Sequence, residues 1–93
     1  FNTEIPKEFF ISNTYPNPFN PQTSFIFGVP SNANVEITIF NSIGNIIHKV
    51  DSKYYQAGTY KYVWNPENIS SGIYYIQLKS KDMVINKKTT YLK

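Results

Sequence analysis

Apolar side chains recur at every second position along most of this chain. Four runs show the alternation clearly, at residues 25–29, 35–39, 59–64 and 73–78. A period of two is typical of strands that bury one face, whereas an amphipathic helix repeats every three or four residues. A fifth run at residues 83–92 alternates less cleanly, because Lys87 and Lys88 stand in its middle. The pattern therefore predicts an all-β fold.

Residues that favour turns separate these runs at intervals of about ten residues, which is typical of an antiparallel β-sandwich. Residues 41–45 are expected to form a hairpin connection, and residues 80–82 are expected to join the last two strands. The apolar residues 9–11 are expected to dock on a sheet edge. We therefore expect a linker and lead-in strand at residues 1–13 and a sandwich of about seven strands at residues 14–93.

A proline segment at residues 15–21, Tyr-Pro-Asn-Pro-Phe-Asn-Pro, contains three of the six prolines. Proline fixes φ, removes a backbone donor and disfavours helix at the residue before it. Asn17 and Asn20 each precede a proline and are expected to close local turns through their side chains. We expect this stiff segment to mark the start of the folded module and to pack Tyr15 and Phe19 against it.

Composition narrows the functional classes. The 93 residues contain no cysteine, and the net charge of +3 comes from nine lysines without any arginine. Nucleic-acid binding relies largely on arginine, so we expect no nucleic-acid partner. No apolar run is long enough to span a membrane. The chain begins at Phe1, which suggests a piece of a longer protein whose other part it serves.

Candidate chemistry is sparse. The single histidine, His48, lies in a strand-like run and is expected at the sheet surface, since one histidine cannot form a metal cluster. No phosphate-binding loop or metalloprotease motif occurs, so we expect neither enzyme activity nor a cofactor. Tyr60, Tyr62 and Trp64 could stack a sugar ring, but a core position is the more economical interpretation. An immunoglobulin-like or fibronectin-III-like accessory module that binds carbohydrate remains the alternative.

The ordered motifs resemble the type A C-terminal sorting domain of the type IX secretion system, also called the Por secretion system. The resemblance extends over essentially the whole chain. It rests on I-P-K-E-F at residues 5–9, N-T-Y-P-N-P-F-N-P at 13–21, G-T-Y at 58–60, S-S-G-I-Y-Y at 70–75 and the lysine-bearing end. The proline segment is the most specific of these matches.

This resemblance implies a seven-stranded immunoglobulin-like sandwich that acts as a non-catalytic export address in Bacteroidota. The translocon would carry an upstream cargo domain from the periplasm across the outer membrane. A sortase-like peptidase at the surface would then remove the address, leaving the cargo secreted or attached to the cell surface. A third interpretation is a structural interaction domain, because flagellar hook-capping proteins carry a similar sandwich.

Family-motif and proposed recognition residues follow from the resemblance, although we expect the proline segment itself to be structural rather than a receptor contact. They are Pro16, Asn17, Pro18, Gly72, Tyr74, Lys87, Lys88 and Lys93. We expect a positive φ at Gly72, where a strand begins tightly. We also expect residues 83–93 to form the last strand at or near a sheet edge, where a receptor reads its charge or adds a strand. An exposed edge would also permit a weak homodimer.

Overall fold

A computed structural model describes residues 5–81 and 83–93, which form seven strands and no helix. The strands are β1 (Phe10–Ile11), β2 (Thr23–Val29), β3 (Ala33–Asn41), β4 (Ile46–Tyr55), β5 (Gly58–Trp64), β6 (Gly72–Ser80) and β7 (Met83–Tyr91). The all-β prediction is confirmed. The described residues contain no helix that is long and apolar enough to cross a membrane.

The strands build two antiparallel sheets, one with the order β1-β2-β5 and one with the order β4-β3-β6-β7. This is an immunoglobulin-like arrangement, in which the fourth strand pairs with the third and lies in the same sheet as the last two. The predicted hairpin forms between β3 and β4, and Asn41 Oδ1 accepts hydrogen bonds from the backbone N–H groups of Ile43 and Asn45. β6 and β7 are also directly paired; their connection includes Asp82, which lies outside the described residues.

The core lies between the two sheets, and the strand alternation supplies it. Its central side chains are Phe25, Phe27, Val29, Val35, Ile37, Ile39, Tyr74, Ile76 and Leu78. Trp64 is 3% exposed, and its ring lies 5.4 Å from that of Phe19 and 5.7 Å from that of Tyr74. The core interpretation of Trp64 is therefore confirmed, and Tyr60 and Tyr62 pack partly buried against the same core.

Surface positions also follow the alternation. Tyr55 is buried while Tyr54 is exposed, as a period of two requires for neighbouring residues. His48 lies exposed on β4, with its Nε2 3.2 Å from the hydroxyl oxygen of Tyr62. The prediction of a surface strand histidine is confirmed. β1 pairs with the edge of β2, so the predicted docking of residues 9–11 is confirmed as well.

The proline segment departs from two expectations. Phe19 is buried as predicted, at 2% exposure, but the prediction for Tyr15 is wrong, because its side chain is 80% exposed. The backbone N–H and C=O of Tyr15 pair with those of Ser24, so the main chain alone is held there. All three X–Pro bonds of the segment are cis. The expected local turn of Asn17 is also wrong, since its side-chain oxygen accepts from Thr90 at the far end of the chain. The side-chain nitrogen of Asn20 bonds to the same end.

Candidate recognition site at the last strand

β7 lies at the edge of the four-stranded sheet, as predicted. Its side chains alternate between the two faces, so Lys88 is exposed on the outer face while Lys87 is half-buried on the inner face. The Nζ of Lys87 donates a hydrogen bond of 3.3 Å to the side-chain oxygen of Asn13. The two neighbouring lysines therefore do not form one charged patch.

The proline segment pairs with the end of β7. The backbone N–H of Phe19 donates to the carbonyl oxygen of Thr90 at 2.9 Å, and the N–H of Leu92 donates to the carbonyl oxygen of Phe19 at 3.1 Å. Phe19 thus lies in parallel register beside Tyr91, and their rings are 5.1 Å apart. Phe19, which lies near the start of the module, therefore extends the four-stranded sheet beside the end of β7.

Two asparagine side chains reinforce this pairing. Asn17 Oδ1 accepts from the N–H of Thr90 at 3.0 Å, and Asn20 Nδ2 donates to the carbonyl oxygen of Leu92 at 2.7 Å. A local turn at Asn17 would need the N–H two residues on, which belongs to Phe19 and is already bonded to Thr90. We call Asn17, Phe19 and Asn20, with their partners Thr90 and Leu92, the C-terminal clamp.

A buried hydrogen bond also links the start of the module to β7. Thr14 Oγ1 donates to Thr89 Oγ1 at 2.8 Å, and both threonines are buried. Pro16 is exposed, as is Pro18, but the carbonyl oxygen of Pro16 accepts a 2.8 Å hydrogen bond from the hydroxyl of Thr23. The proline segment is consequently tied to β2 on one side and to β7 on the other.

Gly72 and Tyr74 occupy structurally demanding positions at the start of β6. Gly72 has a φ of 153°, so the predicted positive φ is confirmed. Tyr74 is 5% exposed, and its hydroxyl donates to the carbonyl oxygen of Ser70 at 2.7 Å. This is the tyrosine corner found in many immunoglobulin-like folds. Lys93 lies nearby, since its backbone N–H donates to Ser71 Oγ at 2.8 Å.

The sequence reasoning missed the clamp and the threonine pair. One signal for the pair was present: Thr89 takes an inward position in the alternation of β7, where a polar group needs a partner. The asparagines gave no such signal, because their partners are more than seventy residues away.

A cluster of interacting ionisable groups lies between β4 and β5, away from β7. The Tyr55 hydroxyl donates to the carboxylate of Asp51, and burial together with this bond raises the pKa of Tyr55. Burial and the charge of Asp51 also raise the pKa of Tyr62. Across the described residues, no three histidine, cysteine or acidic side chains come together as a metal site would require.

The family model described as the secretion system C-terminal sorting domain matches residues 13–91. The match begins at the asparagine that bonds Lys87 and ends at Tyr91, which packs on Phe19. The chain therefore belongs to this family, and it is a C-terminal sorting signal of the type IX secretion system, a class that is non-catalytic in general. Such a signal implies an upstream cargo, the export machinery, and a secreted or cell-surface destination. No curated protein matches the chain.

Proposed function

We propose that the translocon reads the surface where the proline segment meets β7, and so exports the upstream cargo across the outer membrane. The C-terminal clamp is the observation that carries this proposal. It joins two of the family's motif regions, the proline segment and the chain end, into one rigid surface through two backbone and two side-chain hydrogen bonds.

The backbone of β7 supports reading by strand addition. In an antiparallel pair, alternate residues direct both backbone groups away from the neighbouring strand. Thr90 is such a residue, because its N–H and C=O bond to Asn17 and Phe19. Asn86 and Lys88 follow the same phase and direct their backbone groups to the same edge. An incoming strand would therefore pair beside residues 84–88, in line with the clamp.

The lysines give this surface its charge. Lys88 is exposed beside the edge, Lys93 is exposed at the chain end, and Lys87 is partly engaged by Asn13. Complementary charge speeds association and suppresses wrong partners. The partner strand is accordingly expected to carry acidic side chains.

The cleavage that removes the sorting domain would lie in the linker and lead-in region proposed for residues 1–13. The described residues 5–8 precede β1 and form no strand, and Ile5 is 62% exposed. A peptidase needs an accessible, extended segment, so a surface sortase-like enzyme would cut at or before these residues. Such a cut leaves β1 and the clamp with the sorting domain while the cargo is released or attached to the surface.

A reporter fused ahead of residues 1–93 in a type IX-competent host tests the proposal. Lys88→Glu should retain the reporter in the periplasm, whereas Lys61→Glu, the same charge change at an exposed lysine of β5, should leave secretion unchanged. Deletion of residues 86–93 should also retain the reporter. Equal secretion of the two lysine variants would contradict reading at β7.

The carbohydrate-binding alternative loses its best candidate in this geometry. Trp64 is 3% exposed and contacts the rings of Phe19 and Tyr74, so it offers no free face to a sugar. Stacking on a sugar requires an accessible aromatic face. The observations favour the sorting function.

A further inference from the structure

The lead-in chain lies on the outer face of β2 at a single glycine. Phe27 and Val29 are core residues, so Gly28 between them faces outward by the strand alternation. Gly28 is nevertheless buried. Its cover comes from β1, because Phe10 is its partner in the antiparallel register.

The space that a side chain would need at Gly28 is already filled. A Cβ built on this residue would overlap the ring of Phe10 and would lie 2.9 Å from Cγ of Pro6, whereas packed carbon atoms lie about 3.5–4.0 Å apart. A glycine within a strand often marks such a close approach. We call Gly28, with Pro6 and Phe10 packed on it, the glycine notch.

Neighbouring residues hold the lead-in chain as well. Ile11 is 4% exposed and belongs to the core, and Phe9 packs partly buried against the same core. Ser12 makes two hydrogen bonds to the backbone of Ile26: its N–H donates to the carbonyl oxygen at 2.7 Å, and its Oγ accepts from the N–H at 2.8 Å. The chain is therefore attached to β2 and to the core from the notch onward.

This attachment has a definite start at Pro6. Pro6 is half-buried, whereas Ile5 directly before it is 62% exposed. Proteases cut accessible backbone, and a docked segment is cut mainly during the fraction of time that it is open. The peptide bonds that follow Pro6 are accordingly protected by the docking, and exposed chain begins again at Ile5.

We propose that the glycine notch positions the cleavage that removes the sorting domain, so that the surface peptidase cuts before Pro6. One peptide bond is broken: the acyl group passes to water, or to an amine when the cargo is attached, and the nitrogen gains a proton as the new N-terminus of the sorting domain. Gly28 is a positioning residue, because it acts through Pro6 and Phe10. This inference rests on the proposed function and narrows the cleavage region within it.

Chymotrypsin digestion of the purified 93-residue chain tests the notch without the export machinery. Mass spectrometry follows cleavage after Phe9. Gly28→Ala should raise the initial rate of this cleavage by about tenfold or more, because the added methyl group displaces the ring of Phe10 and favours the open segment. The fluorescence of Trp64 should stay native without urea, since the added group faces away from the core.

The matched control removes the ring instead. Phe10→Ala should also raise the rate of cleavage after Phe9, since the notch is then empty. Adding Gly28→Ala to Phe10→Ala should change the rate by no more than about twofold, because the methyl group no longer meets a ring. A full additional increase in the double variant would show that the methyl group acts elsewhere and would overturn the notch.

The reporter fusion tests the position of the cut. Mass spectrometry of the sorting fragment from the unmodified fusion should give a first residue at or before Pro6, whereas Gly28→Ala should add fragments that begin within residues 7–11. A fragment of the unmodified fusion that begins after Pro6, an unchanged single cut in Gly28→Ala, or secretion without any cut would overturn the positioning role. An unmodified chymotrypsin rate in Gly28→Ala would do the same.

Failure of the proposed function would look different. The unmodified fusion would then stay in the periplasm, while the chymotrypsin rates of the purified variants would still decide whether the notch holds the lead-in chain.

Discussion

Replacement of Phe19 by alanine tests whether the proline segment braces the fold. The Phe19 ring is 2% exposed and lies 5.4 Å from Trp64 and 5.1 Å from Tyr91. Truncation of a buried phenylalanine costs about 3–5 kcal/mol, because apolar burial is lost and a cavity remains. A domain of this size has a free energy of unfolding of about 5–14 kcal/mol. Phe19→Ala should therefore remove a large part of the stability.

Urea denaturation followed by tryptophan fluorescence measures this directly, because Trp64 is the only tryptophan and contacts Phe19. With an m-value of about 1–1.5 kcal/mol/M, the midpoint should fall by about 2–5 M. Far-UV circular dichroism should give the same midpoint if unfolding is two-state.

Tyr15→Ala is the matched control within the same segment. The Tyr15 side chain is 80% exposed, so its loss should change the free energy of unfolding by about 0.5 kcal/mol or less. A loss below about 1 kcal/mol for Phe19→Ala, or equal losses for the two variants, would refute the role of Phe19 as a brace.

Two further predictions concern polar contacts. Thr14→Val should lower the free energy of unfolding by about 1–3 kcal/mol, because it leaves the buried hydroxyl of Thr89 without its partner. The double variant that also carries Thr89→Val should recover much of this loss. Urea midpoints measure both variants, and losses that simply add would contradict this account. Burial and the Asp51 bond raise the pKa of Tyr55 in the fold, so this residue's contribution to stability is fully present below about pH 10 and is lost as the pH rises further. Tyr55→Phe should therefore flatten the fall in thermal midpoint above that pH, and an unchanged slope would count against it.

Three central strands, β2, β3 and β6, could be predicted from the sequence because each of them buries one face. The inward positions of β2, β3 and β6 are the apolar positions of the period-two runs, so alternation alone identified them. The proline segment has no such period. Whether Tyr15 or Phe19 turns inward depends on the register of Phe19 beside Tyr91, which a local pattern does not encode.

In the candidate site, too, some features could be predicted from local sequence and others depend on tertiary contacts. The edge position of β7 and the positive φ of Gly72 follow from local composition and were predicted correctly. The family pattern named Asn17 and Tyr74, but their contacts depend on tertiary structure: Asn17 binds Thr90, and Tyr74 forms the tyrosine corner with Ser70. Sequence reasoning thus located these residues without revealing what each one touches.

Under the proposed function, the C-terminal clamp would make export depend on complete synthesis of the sorting domain. Asn17 and Asn20 come early in the domain, while their partners Thr90 and Leu92 come among its last residues. Folding during synthesis proceeds from the N-terminus, so these bonds form only after the ribosome has finished this part of the chain. A prematurely terminated protein would lack the closed clamp and, under the proposed function, would not be exported. The same hydrogen bonds that hold the last strand would then keep defective cargo inside the cell.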